Sequence, residues 1–127
     1  MTGANWSDSW GHYAVFTGAK IDLAKFENTD YDHGRFNQLS SGIKVDFSNS
    51  YLRHTDFSGD QDKLTNLTGA KFINAKLNNA DLRFVNFRNA DFTGADLTGA
   101  QLHRSDFSGA TWVDGKKCAD GSIGVCK

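Results

Sequence analysis

From Thr65 to Val113 a large apolar residue returns at every fifth position: Leu67, Phe72, Leu77, Leu82, Phe87, Phe92, Leu97, Leu102, Phe107 and Trp112. Two places before each stands a small one, Ala70, Ala75, Ala80, Ala90, Ala95, Ala100, Ser105 or Ala110, with Thr65 and Val85 as departures. Neither the roughly 3.6-residue period of a helix nor the two-residue period of a strand divides five, so either element would scatter these residues around its surface.

A five-residue unit makes physical sense as one short side of a square. Positions two apart on an extended segment face the same way, so the small and the large residue both point inward and the other three point out. Four sides close a coil of about twenty residues, and coils stacked at the parallel-strand spacing of roughly 4.8 Å pair their backbones. Corner positions carry Gly69, Gly94, Gly99 and Gly109 or Asn74, Asn79 and Asn89, residue types that tolerate tight or left-handed turns.

The runs Ala80-Asp81-Leu82, Ala90-Asp91-Phe92, Ala95-Asp96-Leu97 and Ser105-Asp106-Phe107 resemble the pentapeptide-repeat proteins, whose unit is small, Asp or Asn, Leu or Phe, then two polar residues. The resemblance implies an all-β fold, a right-handed quadrilateral parallel β-helix of about five coils. A large regular surface without recognisable chemistry predicts a non-catalytic structural or interaction protein that presents a rigid face to a protein partner of unknown identity, and the resemblance implies an alternative, mimicry of duplex DNA toward DNA gyrase.

Composition agrees with a solenoid of this kind. The 127 residues form one domain in which each coil contacts only its neighbours, and the chain contains no Pro, in keeping with a backbone whose N–H groups are needed for ladders. A net charge of −1 leaves no electrostatic footprint for direct nucleic-acid binding, and no apolar run is long enough to span a membrane. The first residues show no signal-peptide pattern.

In the first half the repeat is looser. Phe16, Ile21, Phe26, Tyr31 and Phe36 keep the five-residue interval, whereas Phe36 to Phe47 spans eleven, which predicts a one-residue bulge or small loop within 39–44. Phe47, Leu52 and Phe57 continue the later phase, but the next central slot falls on Asp62, so 59–64 is expected to leave the coil. This loop is either a plain surface excursion or the mark of a partner-binding side. The expected organisation is an N-terminal cap over 1–13, with Trp6, Trp10, His12 and Tyr13 sealing the open core, a β-helix over 14–113, and a tail over 114–127. The protein is expected to be a monomer, or a dimer through an end cap.

The tail holds the two Cys, Cys118 and Cys126, and an even count suits a disulfide. If oxidised, the short loop contributes about 2.5 kcal/mol and pins the tail over Trp112. The pair offers too few ligands for zinc and lacks Cys-x-x-Cys spacing. A disulfide favours a periplasmic or secreted location, and its absence a cytoplasmic one. The tail, from Trp112-Val113-Asp114-Gly115 to Gly121-Ser122-Ile123-Gly124-Val125-Cys126, resembles that of exported bacterial pentapeptide-repeat proteins.

No enzyme is predicted. Asp46, Asp56, Asp81, Asp91, Asp96 and Asp106 recur just before the core residue, as the repeat requires, and His12, His33, His54 and His103 lack a metal-ligand spacing. No cofactor-binding motif is present, and a filled interior leaves no cleft. The readings that remain concern surfaces. A constant twenty-residue coil predicts an alternating ladder of Arg35, Asp56, Lys76 and Asp96, and a polar column of Thr17, Asn37, Ser58, Asn78 and Thr98 that would serve ice binding, a third reading. Arg83, Phe84, Arg88, His103 and Arg104 form the candidate partner surface, with Phe84 the unusual member because a polar corner is expected there. Against gyrase mimicry, Lys71, Lys76, Arg83, Arg88 and Arg104 interrupt the acidic columns.

Overall fold

Each five-residue unit folds as one side of a square. The structure, a computed structural model, describes residues 2–127. Four columns of parallel bridges run along the molecule. The first side carries Asn5, Lys25, Asp46, Lys71, Asp91 and Thr111; the second Trp10, Asp30, Tyr51, Lys76 and Asp96; the third Val15, Arg35, Asp56, Asp81 and Gln101. The fourth side includes two two-residue strands, β1 (Thr65–Asn66) and β2 (Val85–Asn86), paired in parallel. The fold is an all-β quadrilateral solenoid.

The residue after each bridge position points to the axis, and the large apolar residues stack there. Phe26, Phe47, Phe72 and Phe92 superpose face to face with ring centroids 4.9, 5.4 and 5.2 Å apart. Phe16, Phe36 and Phe57 do so at 4.9 Å on the third side, and the two stacks meet edge to face. These spacings follow from the separation of parallel strands, so the period that pairs the backbone also sets an offset-stacking distance. Ile21, Tyr31, Leu52, Leu67, Leu77, Leu82, Phe87 and Phe107 are buried with them, while Phe16, Leu97, Leu102 and Trp112, in the end coils, are partly covered.

The acidic residue of the repeat has a structural task. Asp46, Asp56, Asp91, Asp96 and Asp106 each accept the amide two residues further on, at 2.9–3.0 Å, and so tie down the corner. At the corner itself the backbone is left-handed, with φ near +60° at Asn74, Asn79 and Asn89, and Gly94, Gly99 and Gly109 taking the same role.

Three expectations change. The coil begins within the segment expected as a cap: Asn5 and Trp10 already bridge to Lys25 and Asp30. Of the aromatic residues there, Trp6 stacks over Phe26, but Trp10 is 81% exposed and Tyr13 is also exposed, because one sits at an outward strand position and the other at a corner. The central slots also admit glycine: Gly11 lies over the Tyr31 ring and Gly42 over Leu67, each at a place where a Cβ would approach within 2.6 Å.

The third change concerns register. Successive first-side bridges are 21, 25 and 20 residues apart, so the bulge adds one residue to its coil and the loop adds five, the length of one unit, without forming a side. The columns therefore shift by one side across the loop. Asp56 pairs with Asp81 rather than with Lys76, and Ser58 is followed by Arg83 rather than Asn78, so the predicted charge ladder and the polar ice-binding column each divide into two halves on different sides. Alternation of charge does exist, on the first side, as Lys25, Asp46, Lys71 and Asp91.

Candidate functional site

Both irregularities lie at one corner, between the third and fourth sides. Going down that corner, the positions are Gly18, Gln38, the 59–64 excursion, Phe84 and Arg104, and the tail residue Ile123 closes the column. The loop is tied to itself and to the coil below. The Asp60 carboxylate accepts the amides of Asp62 and Lys63 at 2.9 Å, the Gly59 amide donates to the Arg83 carbonyl at 3.1 Å, and the Thr65 amide donates to Phe84 at 3.1 Å. Asp62 stays exposed, as its charge requires.

The other wall comes from the tail. It folds back antiparallel, with Thr111 opposite Lys117 and Asp106 opposite Ile123, and a disulfide joins Cys118 to Cys126. The Phe107 amide donates to Ser122 and the Gly124 amide to Ser105, both at 2.8 Å, which holds Ile123 beside Arg104 while leaving it 51% exposed.

Between loop and tail lies a groove of about 390 Å³ lined by Gln61, Leu64, Phe84, Arg104 and Ile123. Phe84 is half-buried in a left-handed conformation (φ 55°), with the edge of His103 against its ring at 6.0 Å. The left-handed backbone itself is common to the corners of this fold, where Tyr13, Leu23, His33 and His54 adopt it as well as Asn and Gly; what sets Phe84 apart is its place between the loop and the tail. A second, smaller groove on the far side of Leu64 is lined by Gln38, Leu39, Asp60 and Lys63.

Of the five residues singled out from the sequence, the structure gathers Phe84, His103 and Arg104 and separates the other two. Arg83 turns back to Asp81 at 2.8 Å, and Arg88, on the fourth side, reaches Asp106 at 3.1 Å. Burial pushes the Asp81 and Asp106 carboxyls up, but hydrogen bonds from Arg83 to the one, and from Ser108 and Arg88 to the other, outweigh it and hold both below their ordinary range. Arg53 is likewise held by Asp32. Arg104, by contrast, pairs with no carboxylate among the described residues; its Nε lies 3.4 Å from the His103 ring nitrogen. Gln61 and Ile123 carried no periodic signal that could have marked them.

One cluster could in principle bind a cation. His12, Asp30 and Asp32 bring three ligand atoms within 4.8 Å of one another near the second side. Their charges are already answered: His12 contacts Asp30 at 2.9 Å, and Asp32 accepts the Arg53 amide and guanidinium at 2.8 Å. The arrangement is an ion-pair network that a metal would have to dismantle.

The axis of the solenoid is packed with side chains and its grooves lie on the outside. The profile described as pentapeptide repeats matches in eight copies over residues 65–100 and 75–111, so the second half of the solenoid is built of pentapeptide repeats. The chain is similar in fold to Rfr23, a pentapeptide-repeat protein of the cyanobacterium Cyanothece 51142, with TM-score 0.63 and 22% identity over 86% of this chain and 84% of that one. A pentapeptide-repeat protein of the Arabidopsis thaliana thylakoid lumen superposes with TM-score 0.59 and 20% identity over 97% and 80%. No curated protein matches the sequence. Among the described residues no helix is long and apolar enough to cross a membrane.

Proposed function

We infer that this protein is a non-catalytic interaction scaffold and that it docks a protein partner in the groove between the 59–64 loop and the disulfide-closed tail. The observation that carries this reading is Phe84: an aromatic residue kept at a left-handed corner, half-exposed, between two non-repetitive segments that both wall the same groove. The filled axis supports the absence of catalysis, since it offers no enclosed site in which a substrate would be desolvated.

Gyrase mimicry is not favoured by the columns. The first side alternates in sign through Lys25, Asp46, Lys71 and Asp91, whereas a surrogate for duplex DNA needs continuous negative charge. The disulfide supports an oxidising setting, periplasmic or secreted.

The test is site-specific photocrosslinking in extract of the source cells. A benzoylphenylalanine at Gln61 is expected to give a discrete crosslinked species that is absent when the probe is placed at Lys71 and lost when Phe84→Asn is added. Equal labelling from both positions, unaffected by F84N, would contradict a groove-specific partner.

A further inference from the structure

Building on the docking reading, we propose that the groove recognises a peptide segment in which an apolar side chain is followed by a carboxylate, the apolar group seated against Leu64, Phe84 and Ile123 and the carboxylate held by Arg104. The argument begins with the distribution of cations. Among the described residues Arg53, Arg83 and Arg88 are each engaged by a carboxylate of the chain, whereas Arg35 and Arg104 are not, and of these two it is Arg104 that lines the groove beside Leu64, Phe84 and Ile123. A guanidinium presents a planar fork suited to a carboxylate, and a contact formed beside apolar walls is less screened than one in open water.

The acids of the loop fix the polarity. Asp60 lines the smaller groove beyond Leu64 and uses its carboxylate on its own loop, whereas the residue that faces the larger groove is the neutral Gln61. Lys63 lines the smaller groove as well and offsets Asp60 there, so the flank of Leu64 with an uncompensated positive charge, the one that draws a negatively charged segment, is that of Arg104. The volume, about 390 Å³, lies at the small end of the roughly 300–1,000 Å³ range of ligand pockets, which suits one or two side chains.

The corner supplies variants that keep the fold. Asn occupies the same left-handed backbone at Asn28, Asn49, Asn74, Asn79 and Asn89, and Gln does so at Gln38, in the same column on the other side of the loop. Phe84→Asn and Arg104→Gln thus remove one recognition element each.

The experiment is an NMR titration of the full chain at neutral pH with acetyl-Phe-Asp-amide and acetyl-Phe-Asn-amide, which differ only in the charge of one side chain. The Phe-Asp probe is expected to shift the resonances of Phe84, Arg104 and Ile123, and the Phe-Asn probe to bind at least roughly fivefold more weakly. Arg104→Gln should equalise the two, and F84N should abolish both while leaving the melting temperature unchanged or raised. Equal binding of the two probes to the unaltered chain would overturn the carboxylate assignment and leave the groove as a docking site. Failure of both probes to perturb these three residues would count against the groove itself.

Discussion

A side chain on Gly59 would meet the carbonyl oxygen of Phe84 at 2.4 Å and, at the same distance, the amide nitrogen of Thr65. The neck of the loop is thus pressed against the backbone of the coil below, and neither obstacle is a side chain that could rotate away. Gly59→Ala is expected to destabilise the protein by about 1–3 kcal/mol, read as a lower urea midpoint, and to shift the resonances of Leu64 and Phe84. An unchanged midpoint would mean that the neck is looser than described.

Phe47 stacks on Phe26 above and Phe72 below, and is fully buried. Phe47→Ala removes the middle ring of a continuous column, with an expected loss of about 3–5 kcal/mol. Coils of a solenoid lean on their immediate neighbours, so hydrogen exchange should accelerate most in residues 21–77 and least near the tail.

Stability should depend on acid in one direction. The Asp96 carboxyl is lowered from 3.8 to about 2 by the Thr98 hydroxyl, the Asn78 amide and the Thr98 backbone, and Asp30, Asp81 and Asp106 are also held low. A depressed folded-state pKa means that the unfolded chain binds more protons in this window. The contribution is therefore complete above about pH 4 and is lost as the pH falls toward 2. Urea midpoints measured from pH 6 to pH 2 should show the decline, and Asp96→Asn, which keeps an acceptor oxygen, should flatten part of it.

The tail depends on its disulfide. Replacing Cys118 and Cys126 together by Ser is expected to lower stability by about 2–3 kcal/mol and to speed exchange at Cys118, Ser122 and Gly124. The coils from Ile21 to Phe92 should keep their protection. Because Ile123 sits inside the closed loop, binding in the groove should weaken in parallel, and titrations of reduced and oxidised protein would show it.

The repeat made most of the fold legible from residues 65–113, where the interval never varies and each side is a local event: a small residue, an acid that captures the corner amide, and a large apolar residue. The N-terminal coil was less legible because Gly11 occupies a central slot and Trp6 stands one interval before it, which hides the period from a reader looking for large side chains. The direction of the loop followed from the charge of Asp62, but its consequence for register did not. Whether five residues leave the coil or lengthen a side is decided by contacts such as that of Thr65 with Phe84, which lie outside the local pattern. Phe84 was conspicuous as an apolar corner; its neighbours Gln61 and Ile123 belong to segments without period, and only the fold brings them together.

The displaced register places Phe84 and Arg104 under the loop, and it is directly measurable. A NOESY spectrum of the labelled protein is expected to show cross-strand contacts between Asp56 and Asp81 and between Tyr51 and Lys76, the pairs of a 25-residue coil. Contacts of Asp56 with Lys76 instead would mean an uninterrupted coil with Asp62 inside it, and would remove the groove on which the functional account stands.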